Sequence, residues 1–420
     1  MDKSLRVLML VSNNLAYDAR VRKEAQTVAE AGFDTIVIGA GTEVPTDLED
    51  APYRFMLVEP WYKGRPLAPK WGRETVWYPV RVLINRTVAP WRRRRWNAEF
   101  VNDSPYIPFI SRPDIESMGV AQNPAIVHCH DLDTLWAGWR IAQRCGSVLI
   151  YDSHELYLEL EYLPEERRRQ FAQIEARVFP LVDAFITVSP EIADALIQKY
   201  QSTITPVILY NGGTHVVAST KPVSKPVKLF FQGKFASNRN NVELICAMQH
   251  LHGRATLTLQ GWGPDEKNYR NVIVQSGLEN VVTILPPVPI SQVVDSANDY
   301  DVGVINIPPL SEHLTHTLPN KLFDYMCGGL AVASTSLAAI KGVIDEAGCG
   351  ITYESESVDS TAHALEKLVS DPARIQSMKE ASLAAAPRYA WPAQEKKLIA
   401  LYKELAKKVQ EESCRRAREH

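Results

Sequence analysis

The sequence lacks most of the features that mark secreted, membrane-spanning or nucleic-acid-binding chains. Its six cysteines, at positions 129, 145, 246, 327, 349 and 414, form no CxxC pair and no regular spacing. A disulfide framework or structural zinc site is therefore not expected, and a reducing cytoplasm is. No apolar run reaches the roughly 18 residues that suggest a spanning helix, so the chain is not expected to cross a membrane. The first such run, Leu5–Val11, stops at Ser12-Asn13-Asn14 and reads as a buried strand, not a signal peptide. Neither sign of charge dominates. A net charge of -3 over 420 residues gives no whole-molecule attraction to nucleic acid or lipid, which leaves such a role to a local patch. No repeat of solenoid length is present.

What is there is a chain too long for one ordinary hydrophobic core, with both halves written alike. Strands are expected at Leu5–Val11, Thr35–Gly39, Ala125–His128, Val148–Tyr151 and Ala184–Val188. A helix over Ala19–Ala31 places Val21, Ala25, Val28 and Ala29 on one face. A second series follows at Lys228–Gln232, Ala255–Gln260, Val281–Leu285, Asp301–Ile305 and Leu330–Ser334. Apolar strands separated by helices indicate parallel sheets covered on both faces. The expected fold is α/β: two Rossmann-like, doubly wound parallel-sheet domains facing across a cleft. Such sheets bind ligands at the carboxyl ends of their strands. The expected division is 1–215, 216–388 and a closing segment 389–420, with Val216–Lys228 as linker. Trp391–Ala406 should be helical, with the charged tail Lys407–His420 fraying.

Val44–Ile115 does not fit the alternation. It holds Trp61, Trp71, Trp77, Trp91 and Trp96, and between Thr75 and Ala98 there are six arginines and no acid. Val80, Ile84, Val88 and Trp91 share a helical face, while Arg81, Arg86 and Arg92–Arg95 carry the charge; Pro90 should kink or end the helix. Two readings stay open. A basic amphipathic helix with interfacial tryptophans lies on an anionic bilayer, and a helix packed on its sheet with solvated arginines has the same pattern.

The clearest chemical signal is Gly233-Lys234-Phe235-Ala236-Ser237-Asn238-Arg239. The glycine turns the chain after a strand, and two cations five positions apart leave one loop. Together they can neutralise a diphosphate leaving group without a metal, although a solvated basic loop looks the same. Further on, Thr317-Leu318-Pro319-Asn320-Lys321 opens a helix that runs through Asp324 to Gly328. Pro319 suits the first turn and Gly328 the end. A helix N-terminus suits phosphate, and Asp324, a turn further in, can accept bonds from ribose hydroxyls; an exposed helix acid beside Lys321 is the plain alternative.

These residues, in this order, resemble the donor domain of the GT-B glycosyltransferases, specifically glycosyltransferase family 4. The resemblance implies that Gly233, Lys234 and Arg239 meet the diphosphate and that Asp324 binds the ribose. It places Gly261 and Gly263 of Gly261-Trp262-Gly263-Pro264 in the donor loop and Val288 in backbone contact with the base. His316, Thr317, Leu318, Asn320 and Lys321 then line the donor. The family often has glutamate where His316 stands, which opens the choice of sugar. In the first half, Ser12-Asn13-Asn14, Asp18-Ala19-Arg20-Val21 with Glu24, His128-Cys129-His130-Asp131-Leu132-Asp133, Tyr151-Asp152-Ser153-His154-Glu155 and Asn211-Gly212 match the family's motifs, but its Gly-Gly acceptor loop is absent. His130 is implied to position the donor sugar or help move a proton, whereas His128 is read as a core histidine. The implied activity is retaining transfer from a UDP- or GDP-sugar to a saccharide or lipid-linked acceptor. It needs no metal or other cofactor, and it belongs to bacterial surface polysaccharide or glycolipid synthesis. The implied setting is the cytoplasm, at the inner membrane face if Arg81–Trp96 binds lipid.

Four other readings compete. His128-x-His130 is also the metal pair of an amidohydrolase barrel, which would need one eight-stranded barrel. Asp131-Leu132-Asp133 is also a DxD metal motif of GT-A enzymes, which lack a second parallel domain. A nucleotide-sugar epimerase of GT-B fold and an inactive sugar-nucleotide-binding partner share the donor site.

Overall fold

The apolar runs become two parallel sheets of the same winding. The computed structural model describes residues 4–16, 18–41, 43–58, 61–62, 65–66, 113–161, 163–236, 239–251, 253–309, 311–354 and 357–419. The first sheet comprises β1 (Arg6–Leu10), β2 (Asp34–Ala40), β3 (Arg54–Val58), β4 (Ile126–His130), β5 (Val148–Ser153), β6 (Ala184–Thr187) and β7 (Pro206–Ile208). Its seven strands run in the order β3-β2-β1-β4-β5-β6-β7. The second comprises β8 (Val227–Lys234), β9 (Ala255–Trp262), β10 (Val282–Leu285), β11 (Val302–Ile305), β12 (Ala331–Thr335) and β13 (Gly350–Tyr353). Its six strands run β10-β9-β8-β11-β12-β13.

In both sheets the winding reverses beside the first strand, between β1 and β4 and between β8 and β11, and both junctions are parallel. Chains leaving two such neighbours turn opposite ways, which opens a crevice at their carboxyl ends. Four strands bear on the sites below: β1 and β8 at the start of each series, and β4 and β11 across the reversal. The side chains of β1, β4 and β11 are almost entirely buried, Val7–Leu10 and Val302–Ile305 among them, whereas β8 exposes Lys228 and Lys234.

Several expectations need correcting. The stretch Val44–Ile115 does supply a strand, β3, and a helix starts at Pro113. The Val80–Trp91 stripe and Arg92–Arg95 lie outside the described residues. The strands β7 and β13 also went unforeseen. β4 runs two residues beyond the expected end, so His130 is its last residue. The closing helix continues from Trp391 to Glu419 instead of fraying at Lys407, helped by a Lys407–Glu411 pair one turn apart at 3.8 Å and by a bond from Lys408 to Asp183. The chain divides by contact into two compact units: Met1–Asp152 with Gln170–Ala184 and Lys403–His420, and Ser153–Arg169 with Phe185–Tyr402. Among the described residues no helix is long and apolar enough to cross a membrane.

Candidate functional site

At the reversal of the first sheet lies a knot of buried charge. Helix α1 (Ala19–Glu30) follows β1 and is capped by Asp18, whose side chain accepts from the Val21 amide at 3.1 Å. Its inward face is not only apolar: Arg20 and Glu24, one turn apart, are 3% and 0% exposed. Such burial is tolerable only with partners. Arg20 donates to both oxygens of Asp152, at 2.9 and 3.0 Å from Nη2 and at 3.1 Å from Nε, and its Nε lies 2.9 Å from Glu24. Burial by itself lowers the guanidinium pKa, but Asp152 and Glu24 outweigh it and the net shift is upward.

Two histidines lie against these acids. The register pairs His130 with Asp152, and His130 Nδ1 lies 3.5 Å from Asp152 Oδ2. His128, two residues back on the same strand face, stacks on His130 with ring centroids 4.2 Å apart. His128 Nε2 is 3.7 Å from Asp152 and 3.8 Å from Glu24. Burial, with His130 beside it, pushes the His128 pKa down to about 3, so its ring is neutral near pH 7. His128 is thus a core histidine, as expected, but one that packs directly on the candidate site.

The next residue, Asp131, has φ 62 and ψ 166, a region that non-glycine residues rarely adopt and that collects at functional sites. Its amide donates to the Asp152 carbonyl at 2.8 Å, which holds the strained turn. Helix α2 (Leu132–Cys145) starts there.

Glu24, His128, His130 and Asp152 also bring donor atoms within 4.8 Å of one another, the one group among the described residues with such geometry for a metal ion. Arg20 weighs against that use. Its guanidinium occupies both oxygens of Asp152 and pairs with Glu24, so an entering divalent cation would meet a buried positive charge. Neither sheet closes into an eight-stranded barrel, which removes the amidohydrolase reading, and the second parallel sheet removes the GT-A one.

At the reversal of the second sheet the chemistry is opposite. β8 ends in Gly233-Lys234, and the loop after it turns through an Arg239 amide to Ala236 carbonyl bond of 3.2 Å. The glycines bring the ends of β8 and β9, and the loops that follow them, into contact. A Cβ on Gly261 would come within 1.9 Å of the Gly233 carbonyl oxygen, and one on Gly263 within 2.1 Å of the Phe235 oxygen. Only glycine at these positions lets the strand ends and their loops approach so closely. Tyr269 donates to the Ala236 carbonyl at 3.2 Å and Asn306, beyond β11, to the Asn240 carbonyl at 2.5 Å, which ties the loop down at both ends.

Helix α3 (Asn320–Cys327) ends the constellation. Pro319 is its N-cap, one residue before the first turn where it was expected, and Gly328 its C-cap. Tyr325 anchors the helix by accepting from the Gln232 amide at 2.9 Å. Lys321 reaches back so that its ammonium lies 3.9 Å above the Phe231 ring, close enough to Gly233 that a Cβ there would approach it to 3.2 Å. Lys234 is exposed with its ammonium 5.9 Å from the Trp262 ring centre. Burial lowers the Arg239 pKa against the opposing pull of Glu155 and Glu161.

Gly233, Gly261, Gly263, Arg239, Lys321 and Asp324 thus belong to one neighbourhood. Asn320 is exposed, Thr317 and Val288 are half-buried, and Leu318 is buried. The His316 carbonyl accepts from Ser189 Oγ at 2.9 Å within the second unit. His130 belongs to the other unit. The sequence reading missed Arg20, Glu24 and Asp152 as members of the His130 site. A signal existed: an Arg and a Glu spaced i, i+4 beside the apolar stripe of α1.

Comparison with known proteins identifies the family and the fold. A model of the glycosyl transferase 4-like domain matches residues 17–212, and one of glycosyl transferases group 1 matches residues 226–371. The chain is 20% identical over 306 residues to D-inositol 3-phosphate glycosyltransferase of Corynebacterium aurimucosum, covering 66% of this chain and 71% of that one. The same enzyme of Streptosporangium roseum is 23% identical over 308 residues, covering 66% and 68%. Among solved structures, sucrose-phosphate synthase from Thermosynechococcus elongatus superposes with a TM-score of 0.67 at 14% identity, over 95% of this chain and 99% of that one. Anabaena HepE in complex with UDP-glucose gives 0.67 at 12% identity, over 95% and 100%.

Proposed function

Because the chain belongs to the glycosyltransferases of GT-B fold, we propose that it moves a sugar from a UDP- or GDP-sugar to a saccharide or lipid-linked acceptor, with retention of anomeric configuration. The observation that carries the donor half is Lys321 beside the Gly233 backbone with Arg239 near enough to oppose its charge, and Lys234 following Gly233 at the end of β8. Cations fixed beside an open glycine turn stabilise charge that develops on a departing diphosphate, and they do so without a metal. Asp324, a turn inside α3, is positioned in this reading to accept bonds from the ribose. HepE, of like fold, was solved with UDP-glucose, which favours uridine as the base.

In this reading His130 orients the donor sugar. Asp152 facing Nδ1 fixes the ring, and the Arg20 clamp fixes Asp152 in turn. In this reading the acceptor hydroxyl attacks on the face that the diphosphate leaves, which retains configuration without a protein nucleophile. Its proton passes to the departing phosphate, so no protein base is required. Placement of the acceptor at a cytoplasmic membrane surface, in polysaccharide or glycolipid synthesis, is part of the same proposal. It falls if replacing Arg92–Arg95 by serine leaves sedimentation with anionic vesicles unchanged.

Turnover assays decide among the classes. Release of nucleoside diphosphate that depends on an acceptor is the expected result. Epimerised donor without acceptor would make the chain an epimerase, and binding without any turnover would make it an inactive partner.

A further inference from the structure

Lys321 differs from the other two cations of the donor loop. It is held between a buried aromatic face and a glycine backbone: its ammonium is 3.9 Å from the Phe231 ring centre, and a Cβ on Gly233 would meet it at 3.2 Å. Among the described residues no carboxylate pairs with it within 4.0 Å. The charged groups that act on it are Arg239, from the loop after β8, and Asp324, from its own helix. The first opposes its charge and the second favours it.

We propose that Lys321 is a third phosphate-binding cation that takes up a proton when the donor diphosphate binds, so that donor affinity falls as pH rises. The inference rests on the donor reading given above. An ammonium crowded by protein and by Arg239, with only a diagonal acid to offset them, loses its proton early; crowding first, then Arg239, bring its pKa down to about 7. A diphosphate laid on the Gly233 turn adds negative charge beside the same nitrogen, which restores the charged form. The proton comes from solvent to the lone pair of Nζ and returns there when the nucleotide leaves; no bond of the donor changes. Binding and protonation then favour one another by the same factor.

The experiment is calorimetric titration of the full chain with UDP and with GDP at pH 8, in two buffers of different ionisation enthalpy. The second ionisation of the nucleotide's terminal phosphate, near pH 6, is complete there. The wild type is expected to take up a large fraction of one proton per nucleotide bound. Its Kd should weaken by up to about tenfold per pH unit between 7 and 8.5. Lys321→Arg, charged throughout, and Lys321→Met, never charged, should take up none and show flat Kd values. Uptake that persists in both variants overturns the inference, as does wild-type binding without uptake, which would leave the donor reading intact. If neither nucleotide binds the wild type, the donor reading falls and this inference with it.

Discussion

The two sheets of this chain share one winding order, and each carries a polar site where that order reverses, yet the two sites handle charge in opposite ways. In the first, buried Arg20 is hydrogen-bonded to Asp152 and ion-paired with Glu24, and the histidines lie against these acids. In the second, Lys234 is open to solvent, and Lys321 has an aromatic ring and a glycine where a carboxylate would be expected. The topology supplies only a crevice; what the crevice does depends on whether its charges already have partners. One buried guanidinium held between two carboxylates fixes the direction of one imidazole. Cations without a matching acid are a standing site for an anion.

Substitutions should separate the two. The largest effect on stability is expected for Arg20→Met, which leaves two buried carboxylates facing each other and should cost about 3–5 kcal/mol, read as a fall in the unfolding midpoint. A loss under about 1 kcal/mol would mean the knot is open to water. Lys234→Ala should leave stability within about 0.5 kcal/mol, since its side chain is exposed. Turnover should reverse that order. Lys234→Ala and Arg239→Ala are each expected to lose about two or more orders of magnitude in nucleoside diphosphate release, and near-normal turnover in both would refute their assignment.

A smaller effect is tied to pH. His128 is neutral when folded, with its pKa near 3, whereas the unfolded chain protonates it near 6.5. Between these values the unfolded state holds the extra proton, so this contribution is complete above about pH 6.5 and is lost as pH falls toward 3. His128→Gln should flatten the acid side of the stability profile between pH 6.5 and 4; an unchanged profile would move the effect elsewhere. The smallest expected effect is none at all: activity should survive chelator. A loss restored by magnesium would return Asp131 and Asp133, or the Glu24–His128–His130–Asp152 group, to a metal role.

How much of this was legible in the sequence follows from where the information sits. Central strands such as Val302–Ile305 are covered on both faces and write unbroken apolar runs. Three of the four sheet edges, β3, β7 and β13, were missed. Edge strands are covered from one side only, and Arg54–Val58 and Pro206–Ile208 are mostly half-exposed, so their runs are short and mixed. The Gly233–Arg239 loop could be singled out only because a match to a known motif ordered the pieces, since a glycine followed by spaced cations after a strand is also what a solvated basic loop looks like. The His130 partners were not, because the pairing of Arg20 with Asp152 spans 132 residues and depends on the register of β4 against β5. Lys321 was named as a donor residue, but its seat on Phe231 depends on how α3 packs, which no local pattern records.

The most direct test of the central claim is thermal unfolding with saturating UDP or GDP, comparing the wild type with the Lys234→Ala/Arg239→Ala double variant. A nucleotide at about 100 times its Kd should stabilise the wild type by about 2.7 kcal/mol, and the double variant should lose most of that shift at the same concentration. An equal shift in both proteins, or none in the wild type with either nucleotide, would contradict a donor site built on these cations.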